Sequence, residues 1–195
     1  MDLSGNLQWF PMRVTYNREL KIKESLDELG VENFIPMHYE LVDTKEGRKR
    51  MLVPAIHNLI FVHSTQEFIT HLKMTRKEFE PLRYIIKTSL EKTSSVILRV
   101  PDQQMENFMR VATVQDESVM FLDYKDFIGK EGRRVRINEG SFAGVEGTIK
   151  RIKKNKHVVV QIEGVAAVAI TFVPSNYLSI IYCVCELFVF YGWRL

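Results

Sequence analysis

Apolar residues in the first part of the chain change between a two-residue spacing and a spacing of three or four. Residues 7–16 are rich in aromatic and β-branched side chains, which predicts an opening strand. Residues 18–29 place apolar side chains near helical spacing, with Asn17 as the expected N-cap and Gly30 as the stop. The chain is therefore predicted to open with a strand and an amphipathic helix.

A charged segment separates the next two predicted strands. These strands cover 31–42 and 51–64, and the polar residues 43–50 between them predict the tip of a long β-hairpin. The remaining elements are a helix over 65–74, strands over 83–87 and 94–100, and a helix over 101–113. This order predicts a compact α+β sheet with its helices on one face.

The last part of the chain has a strand pattern alone. Residues 114–128 lose the periodic pattern and are interpreted as a linker. Five short strands follow, which predicts a small closed barrel. They cover 133–137, 147–152, 157–163, 165–172 and 177–181, with a hairpin tip expected at 154–156.

Charge divides the chain at nearly the same place. Residues 1–128 hold 17 Lys+Arg and 19 Asp+Glu, whereas residues 129–181 hold 9 and 4. We therefore predict a first domain over 1–113, a linker over 114–128, a second domain over 129–181 and an apolar tail over 182–195. The tail is too short to cross a membrane as a helix. It is expected to pack on the chain's own apolar surface, to pair between chains, or to form a poorly ordered end.

Glycines stand among alternating apolar and basic residues at the start of the second domain. Four of them are expected to supply the positive φ angles of a tight turn or bulge. With the neighbouring apolar positions they form one motif, Gly132, Val135, Ile137, Gly140, Phe142, Gly144, Gly147 and Ile149. This motif resembles a KOW domain, which implies an SH3-like barrel.

Motifs in the first domain extend the resemblance. They are Trp9–Phe10, residues 34–37 (FIPM) and residues 58–62 (NLIFV). With the KOW-like motif they make residues 7–181 similar to the NusG family of transcription elongation factors. Residues 9–19 (WFPMRVTYNRE) further resemble the specialised antitermination paralogues of that family, the RfaH-like and UpxY-like factors encoded at capsular-polysaccharide loci.

The resemblance implies a NusG N-terminal-like α/β sandwich followed by the KOW barrel, and a binding protein rather than an enzyme. Family members bind the clamp helices of RNA polymerase and suppress pausing and termination, while the KOW domain tethers a ribosomal protein or Rho. The expected polymerase-binding residues form an apolar patch opposite the helices: Trp9, Phe10, Asn58, Leu59 and Phe61. A KOW-containing RNA-binding or ribosome-associated protein is the alternative function.

Basic residues cluster at the hairpin tip, on the first helix and after the second helix. We expect them to contact the non-template DNA strand or the upstream duplex, with simple solvation as the alternative interpretation. They are Arg18, Lys21, Arg48, Lys49, Arg50, Arg76 and Lys77. Residues 150–156 (KRIKKNK) are expected to contact nascent RNA or to protect a barrel edge.

The loop expected to bind the second partner departs from the family pattern. General elongation factors of this family read approximately I-F-G-R in the barrel loop that grips Rho, whereas residues 162–165 here read I-E-G-V. The aromatic and the arginine are both replaced. This difference argues against recruitment of Rho and favours an antiterminator.

Catalytic and metal-binding chemistry is not indicated by the sequence. The five histidines have no metal-ligand spacing, and no nucleophile motif or phosphate-binding loop is present. Cys183 and Cys185 are interpreted as buried or incidental thiols. The sequence lacks a signal-peptide pattern and an apolar span of about 20 residues. We therefore expect a cytoplasmic protein with no enzymatic activity, no metal, no cofactor and no membrane contact.

Overall fold

The computed structural model describes residues 6–88, 95–122 and 132–182. The chain divides into two compact units, Met1–Met109 and Arg110–Leu195. Of the predicted tail only Tyr182 lies among the described residues, so the expectations for the rest of the tail and for its two cysteines fall outside them.

Helices are interspersed among strands in the first unit, and the last helix extends three residues past its boundary at Met109. The elements are β1 (Gln8–Val14), α1 (Glu19–Glu28), β2 (Asn33–Phe34), β3 (Met37–Thr44), β4 (Gly47–Pro54), β5 (Leu59–Ser64), α2 (Gln66–Thr75), a 3₁₀ turn (Lys77–Phe79), β6 (Leu82–Tyr84), β7 (Ile86–Thr88), β8 (Ser95–Ile97) and α3 (Asp102–Ala112). The predicted second and third strands are each divided in two, because β3 and β4 form a hairpin of their own.

The central sheet of the first unit is antiparallel and has the order β2–β5–β1–β6. The predicted third strand does flank the first, since Phe10 lies opposite Val62. The second strand does not flank β1: β2 pairs with β5, and β6 takes the other side of β1. Pro36, which has no backbone N–H to donate, follows β2 where the expected single strand breaks.

Local chemistry sets the ends of α1 and α2. Asn17, which has a left-handed φ of 50°, is not the N-cap of α1. Arg18 occupies that position and makes no capping hydrogen bond with its side chain. Gly30 ends α1 as predicted, with a φ of 67° and its N–H donating to the carbonyl of Asp27. Thr65 caps α2 with its hydroxyl, which accepts from the N–H of Phe68 at 3.2 Å.

One face of the central sheet packs against α1 and α2. The buried cluster on this side includes alternate residues of β1 and β5 and the inward residues of both helices. Its members from these elements are Phe10, Met12, Val14, Ile22, Leu26, Ile60, Val62, Ile69 and Leu72.

The opposite face is covered as well, by α3. The ring of Phe108 lies 5.7 Å from the ring of Phe61 and 6.4 Å from the ring of Phe34. Met105 of the same helix is also fully buried. The prediction that helices cover one face of the sheet was therefore wrong. The apolar face of α3 was recognised, but its partner is distant in sequence and the helical period does not identify it.

The second unit is a barrel-like sheet with the order β14–β10–β11–β12–β13–β9. Its elements are β9 (Val119–Phe121), β10 (Arg134–Ile137), β11 (Glu146–Ile152), β12 (Asn155–Ile162), β13 (Ala166–Ile170), a 3₁₀ turn (Ser175–Tyr177) and β14 (Leu178–Ile180). All five predicted strands are present. The α+β first unit and the all-β second unit confirm the predicted fold class.

Two details of the second unit differ from expectation. Val119–Phe121 was assigned to the linker but pairs with β13, with Met120 opposite Ala169. Three residues are too few for a periodic pattern to show. The hairpin tip is Lys153–Lys154 rather than 154–156, because both lysines have positive φ and Asn155 already pairs with Ile152.

Candidate functional site

The residues expected to form an exposed apolar patch are almost all buried. Trp9 is 4% exposed, Phe10 is 1% exposed, and Leu59 and Phe61 are completely buried. Phe10 lies in the cluster with α1 and α2, whereas Phe61 packs against α3. These four side chains therefore hold the sandwich together, and the structure corrects the expectation that they form an open patch.

The fifth predicted residue, Asn58, connects β5 to the turn before α1. Its φ is 61°, a backbone conformation that asparagine tolerates better than most residues. The Asn58 N–H donates to Oε1 of Glu19 at 3.2 Å, and its side-chain oxygen accepts from the N–H of Asn17 at 3.1 Å. Its carbonyl accepts from the N–H of Val14 at 2.9 Å. Asn58 therefore has a structural role as the junction of three segments.

Sequence reasoning missed the buried carboxylate in this junction. Glu19 is 2% exposed, although glutamate is rarely buried in folded proteins. Its hydrogen bond to Asn58 satisfies one carboxylate oxygen inside the unit. Its position near the predicted start of α1 did not indicate burial, since acidic residues are common at exposed positions of the first turn of a helix.

The predicted basic residues of the hairpin lie at the start of β4, near the tip of the hairpin, and are exposed. Nε of Arg48 donates to Oδ1 of Asp43 at 3.0 Å, and Lys49 pairs with Glu46. The guanidinium of Arg50 instead lies 4.4 Å from the ring centre of Tyr39. Exposed ion pairs of this kind are weak, so the paired cations remain available to a polyanion at low energetic cost.

The other predicted basic residues lie on separate elements of the same unit. Arg18 lies over the ring of Tyr16 at 5.6 Å, at the start of α1, where Lys21 is also exposed. Arg76 follows α2 and lies 3.7 Å from Glu78, beside the exposed Lys77. The structure thus places the seven basic residues in three segments.

Burial changes the ionisation of two groups beside α2. Desolvation raises the pKa of the Tyr84 hydroxyl, which also bonds to Thr70. Desolvation, with the nearby charge of Arg83, lowers the pKa of Lys73, whose ammonium lies 4.8 Å from the Tyr84 ring centre. Both shifts follow from packing at the edge of the core and involve none of the predicted site residues.

The glycine-rich motif of the second unit has structural roles of two kinds. Gly140 and Gly144 have φ values of 84° and 90°, as expected for turn glycines. Gly132 and Gly147 do not have positive φ, and the expectation was wrong for them. A Cβ atom at Gly147 would lie 2.8 Å from both Cγ1 of Val158 and the carbonyl oxygen of Val159, so glycine permits close strand approach there.

The apolar members of the motif face inward to different extents. Val135 and Ile137 are buried, whereas Phe142 and Ile149 are partly exposed. The motif therefore builds the barrel and its turns.

The turn between β12 and β13 presents a carboxylate. The N–H of Val165 donates to the carbonyl of Ile162 at 3.0 Å, and Gly164 takes a φ of 73°. Glu163 is exposed between them. The turn therefore offers a negative charge at the position where the I-F-G-R pattern has an aromatic ring.

Sequence reasoning also missed an apolar face on the β3–β4 hairpin. Tyr39 is 47% exposed, Leu41 is 62% exposed and Leu52 is 45% exposed. Tyr39 and Leu41 alternate with Glu40 and Val42, so the two-residue period of the sequence could have shown the face.

The described residues contain neither a cluster of metal ligands nor a membrane-spanning helix. Within the three described ranges, no group of three or more His, Cys, Asp or Glu residues could hold a metal ion. The helices of that part of the chain are not long and apolar enough to span a bilayer.

Comparisons with known proteins agree with the two units. The family model described as "Transcription termination factor nusG" matches residues 7–109, and the model described as "KOW motif" matches residues 131–163. No curated protein gives a significant match. A solved structure described as "Domain interaction in Thermotoga maritima NusG" is 17% identical, with a TM-score of 0.41. The alignment covers 91% of this chain and 98% of that one.

The two matched models together describe a class of non-enzymatic transcription factors that bind RNA polymerase and nucleic acids. Because the first family model spans more than half of the chain, the chain belongs to the NusG family.

Proposed function

We propose that this chain is an operon-specific antitermination factor that binds RNA polymerase and suppresses pausing and termination, acting at polysaccharide biosynthesis loci. Membership of the NusG family supports the general role in transcription elongation. The observation that carries the antitermination role is the exposed Glu163 in the β12–β13 turn. In this role the chain acts in the cytoplasm, where transcription takes place.

The acidic turn disfavours the partner that would end transcription. An aromatic ring in such a loop supplies apolar area to an interface, and an arginine supplies directed hydrogen bonds. Glu163 and Val165 supply neither, and moving an exposed carboxylate out of water into an interface costs binding energy. The second unit is accordingly proposed to tether a ribosomal protein rather than Rho.

The polymerase contact is proposed to lie on the first unit, with the clamp helices as the partner. Because Phe61 is sealed by Phe108, a partner could reach that ring only by displacing α3. The contact is therefore assigned to the outer surface of this unit, without opening of the aromatic cluster.

The exposed basic residues are proposed to hold the non-template strand or nascent RNA. They lie at the start of α1, on the hairpin and after α2, and include Arg18, Arg50 and Arg76. Each phosphate contact releases counterions, so binding to an elongation-complex scaffold should weaken steeply with salt.

A transcription assay tests the proposal. Purified chain is added to RNA polymerase on templates from a polysaccharide locus that carry a pause site and a Rho-dependent terminator. We expect shorter pauses and more read-through, and no effect on a template from an unrelated operon. The double substitution of Glu163→Phe with Val165→Arg restores the I-F-G-R pattern and should increase termination when Rho is present. Increased termination by the unaltered chain would contradict the proposal.

A further inference from the structure

The β3–β4 hairpin carries a solvent-exposed face made of four side chains. Tyr39 lies opposite Leu52, and Leu41 lies opposite Arg50. Directly opposed residues of an antiparallel pair project from the same side, and so do residues two apart along a strand. The four side chains therefore share one face, and all four are exposed. In the described part of the chain, β3 and β4 pair only with each other, so no further strand continues this sheet.

Arg50 differs from its two basic neighbours. Arg48 and Lys49 each pair with a carboxylate, whereas no ion pair in the described ranges joins Arg50 to an acid. Its guanidinium instead lies 4.4 Å from the ring centre of Tyr39. A planar cation over an aromatic ring leaves a flat, positively charged surface toward solvent.

We propose that this face binds an unpaired base of a single-stranded nucleic acid, with Tyr39 and Arg50 as the stacking platform. Leu41 and Leu52 lie beside the platform and supply apolar contact to the base edge. The inference rests on the proposed function, which places the hairpin on nucleic acid. It adds a contact to an unpaired base and names the residues that make this contact.

The composition of the face favours a single strand over a duplex. Duplex phosphates need only cations within reach, and three exposed apolar side chains would add nothing to that contact. Single strands expose the flat faces of their bases, which stack on aromatic rings and on arginine. A polyanion also complements the positive charge of Arg50. A protein partner that uses the same apolar area is the competing occupant, and the experiment below separates the two.

The experiment measures binding of the full chain to a fluorescent oligothymidine and to a duplex of equal length, by anisotropy at about 50 mM salt. Tyr39→Ala should weaken binding to the single strand about tenfold, because one stacked base is lost. Its affinity for the duplex and its salt dependence should not change. Tyr39→Phe keeps the ring and should bind like the original chain. Met74→Ala is the matched control, because Met74 is an apolar residue of α2 that is 81% exposed.

Arg50→Lys separates stacking from charge. Lysine keeps the positive charge but not the planar guanidinium, so single-strand affinity should fall while the salt dependence is retained. Tyr39 is exposed on a surface hairpin, and thermal melting of each variant should match the original chain.

Three results would overturn the inference. They are the absence of saturable single-strand binding by the original chain, unchanged single-strand affinity in Tyr39→Ala, and an equal loss of affinity for single strand and duplex.

The same variants are tested for capture by core RNA polymerase without nucleic acid. If Tyr39→Ala loses polymerase but keeps the oligothymidine, the face binds protein instead. Failure of the original chain to bind polymerase would count against the proposed function, whereas loss of single-strand selectivity alone counts only against this inference.

Discussion

Two groups of aromatic and aliphatic side chains in the first unit have opposite surroundings. Around Phe61 in the central sheet, the rings of Phe34 and Phe108 close the sheet face under α3. Around Tyr39 on the hairpin, Leu41 and Leu52 stay open to solvent. Phe61 and Tyr39 both lie on antiparallel strands, and both groups have the residue types of an interface. Whether a second layer packs against the strands decides which group can meet a partner.

The largest expected effect comes from opening the closed group. Phe61→Ala removes a fully buried ring between two others and should lower the free energy of unfolding by about 3–5 kcal/mol. Urea unfolding followed by circular dichroism measures the change. Leu41→Ala is the matched control from the open group and should stay within about 0.5 kcal/mol. Equal losses of unfolding free energy in Phe61→Ala and Leu41→Ala would contradict the distinction between a closed and an open group.

A similar loss is expected where two strands of the second unit approach closely. Gly147→Ala places a Cβ atom 2.8 Å from the carbonyl oxygen of Val159. This oxygen belongs to the backbone of β12, so it cannot move away without displacing the strand. We expect a cost of about 1–3 kcal/mol. Thermal unfolding measures it, and Gly164→Ala, which has open space but a positive φ, is the control for backbone strain alone. A stable Gly147→Ala protein would mean that β11 and β12 can separate freely.

The junction at Asn58 tests whether a residue of the NLIFV motif (58–62) has a structural role. Asn58→Ala loses the acceptor for the Asn17 N–H and strains a left-handed backbone, at a cost of about 1–2 kcal/mol. Asn58→Gly keeps the backbone conformation and should recover about half of that loss. Chemical denaturation of both variants measures this. If the Ala variant keeps full stability but loses polymerase, Asn58 is a contact residue after all.

The smallest expected effect concerns an exposed carboxylate on α1. Hydrogen bonds from Asn33 and then from Lys23 lower the pKa of Asp27. The folded pKa lies below the unfolded one, so Asp27 stabilises the fold above about pH 3.9, and this contribution disappears as the pH falls through the folded pKa. Asp27→Asn should therefore flatten the acid limb of stability and cost about 0.3 kcal/mol at neutral pH. A pH series of urea midpoints measures it, with Asp43→Asn on the hairpin as a control. An unchanged acid limb in Asp27→Asn would contradict the pKa shift.

Local patterns in the sequence were sufficient for most elements of the fold. The periodicity of residues 18–29 and the stop at Gly30 gave α1, and the alternation in the second half gave five strands of the barrel. These signals work because side-chain direction follows from neighbouring backbone geometry. Val119–Phe121 was missed because a three-residue strand depends on its partner β13 for its identity.

The candidate site was less predictable because burial depends on distant packing. The burial of Phe61 depends on α3, which begins 41 residues later in the chain. The burial of Glu19 depends on the backbone of Asn58. The basic residues of the hairpin were located correctly near its tip, but their pairing with Asp43 and Glu46 required the observed register. Motif residues in β1 and β5 therefore identified the family without identifying the surface that binds.

Direct binding to core RNA polymerase tests the central claim, that this chain acts on the polymerase through the outer surface of its first unit. The full chain and core enzyme are mixed without nucleic acid and separated by gel filtration, with ribosomes in a parallel experiment. We expect a stable complex with polymerase that Leu41→Ala and Tyr39→Ala leave intact. Co-elution with ribosomes or RNA but not with polymerase would contradict the account and favour an RNA-binding or ribosome-associated protein.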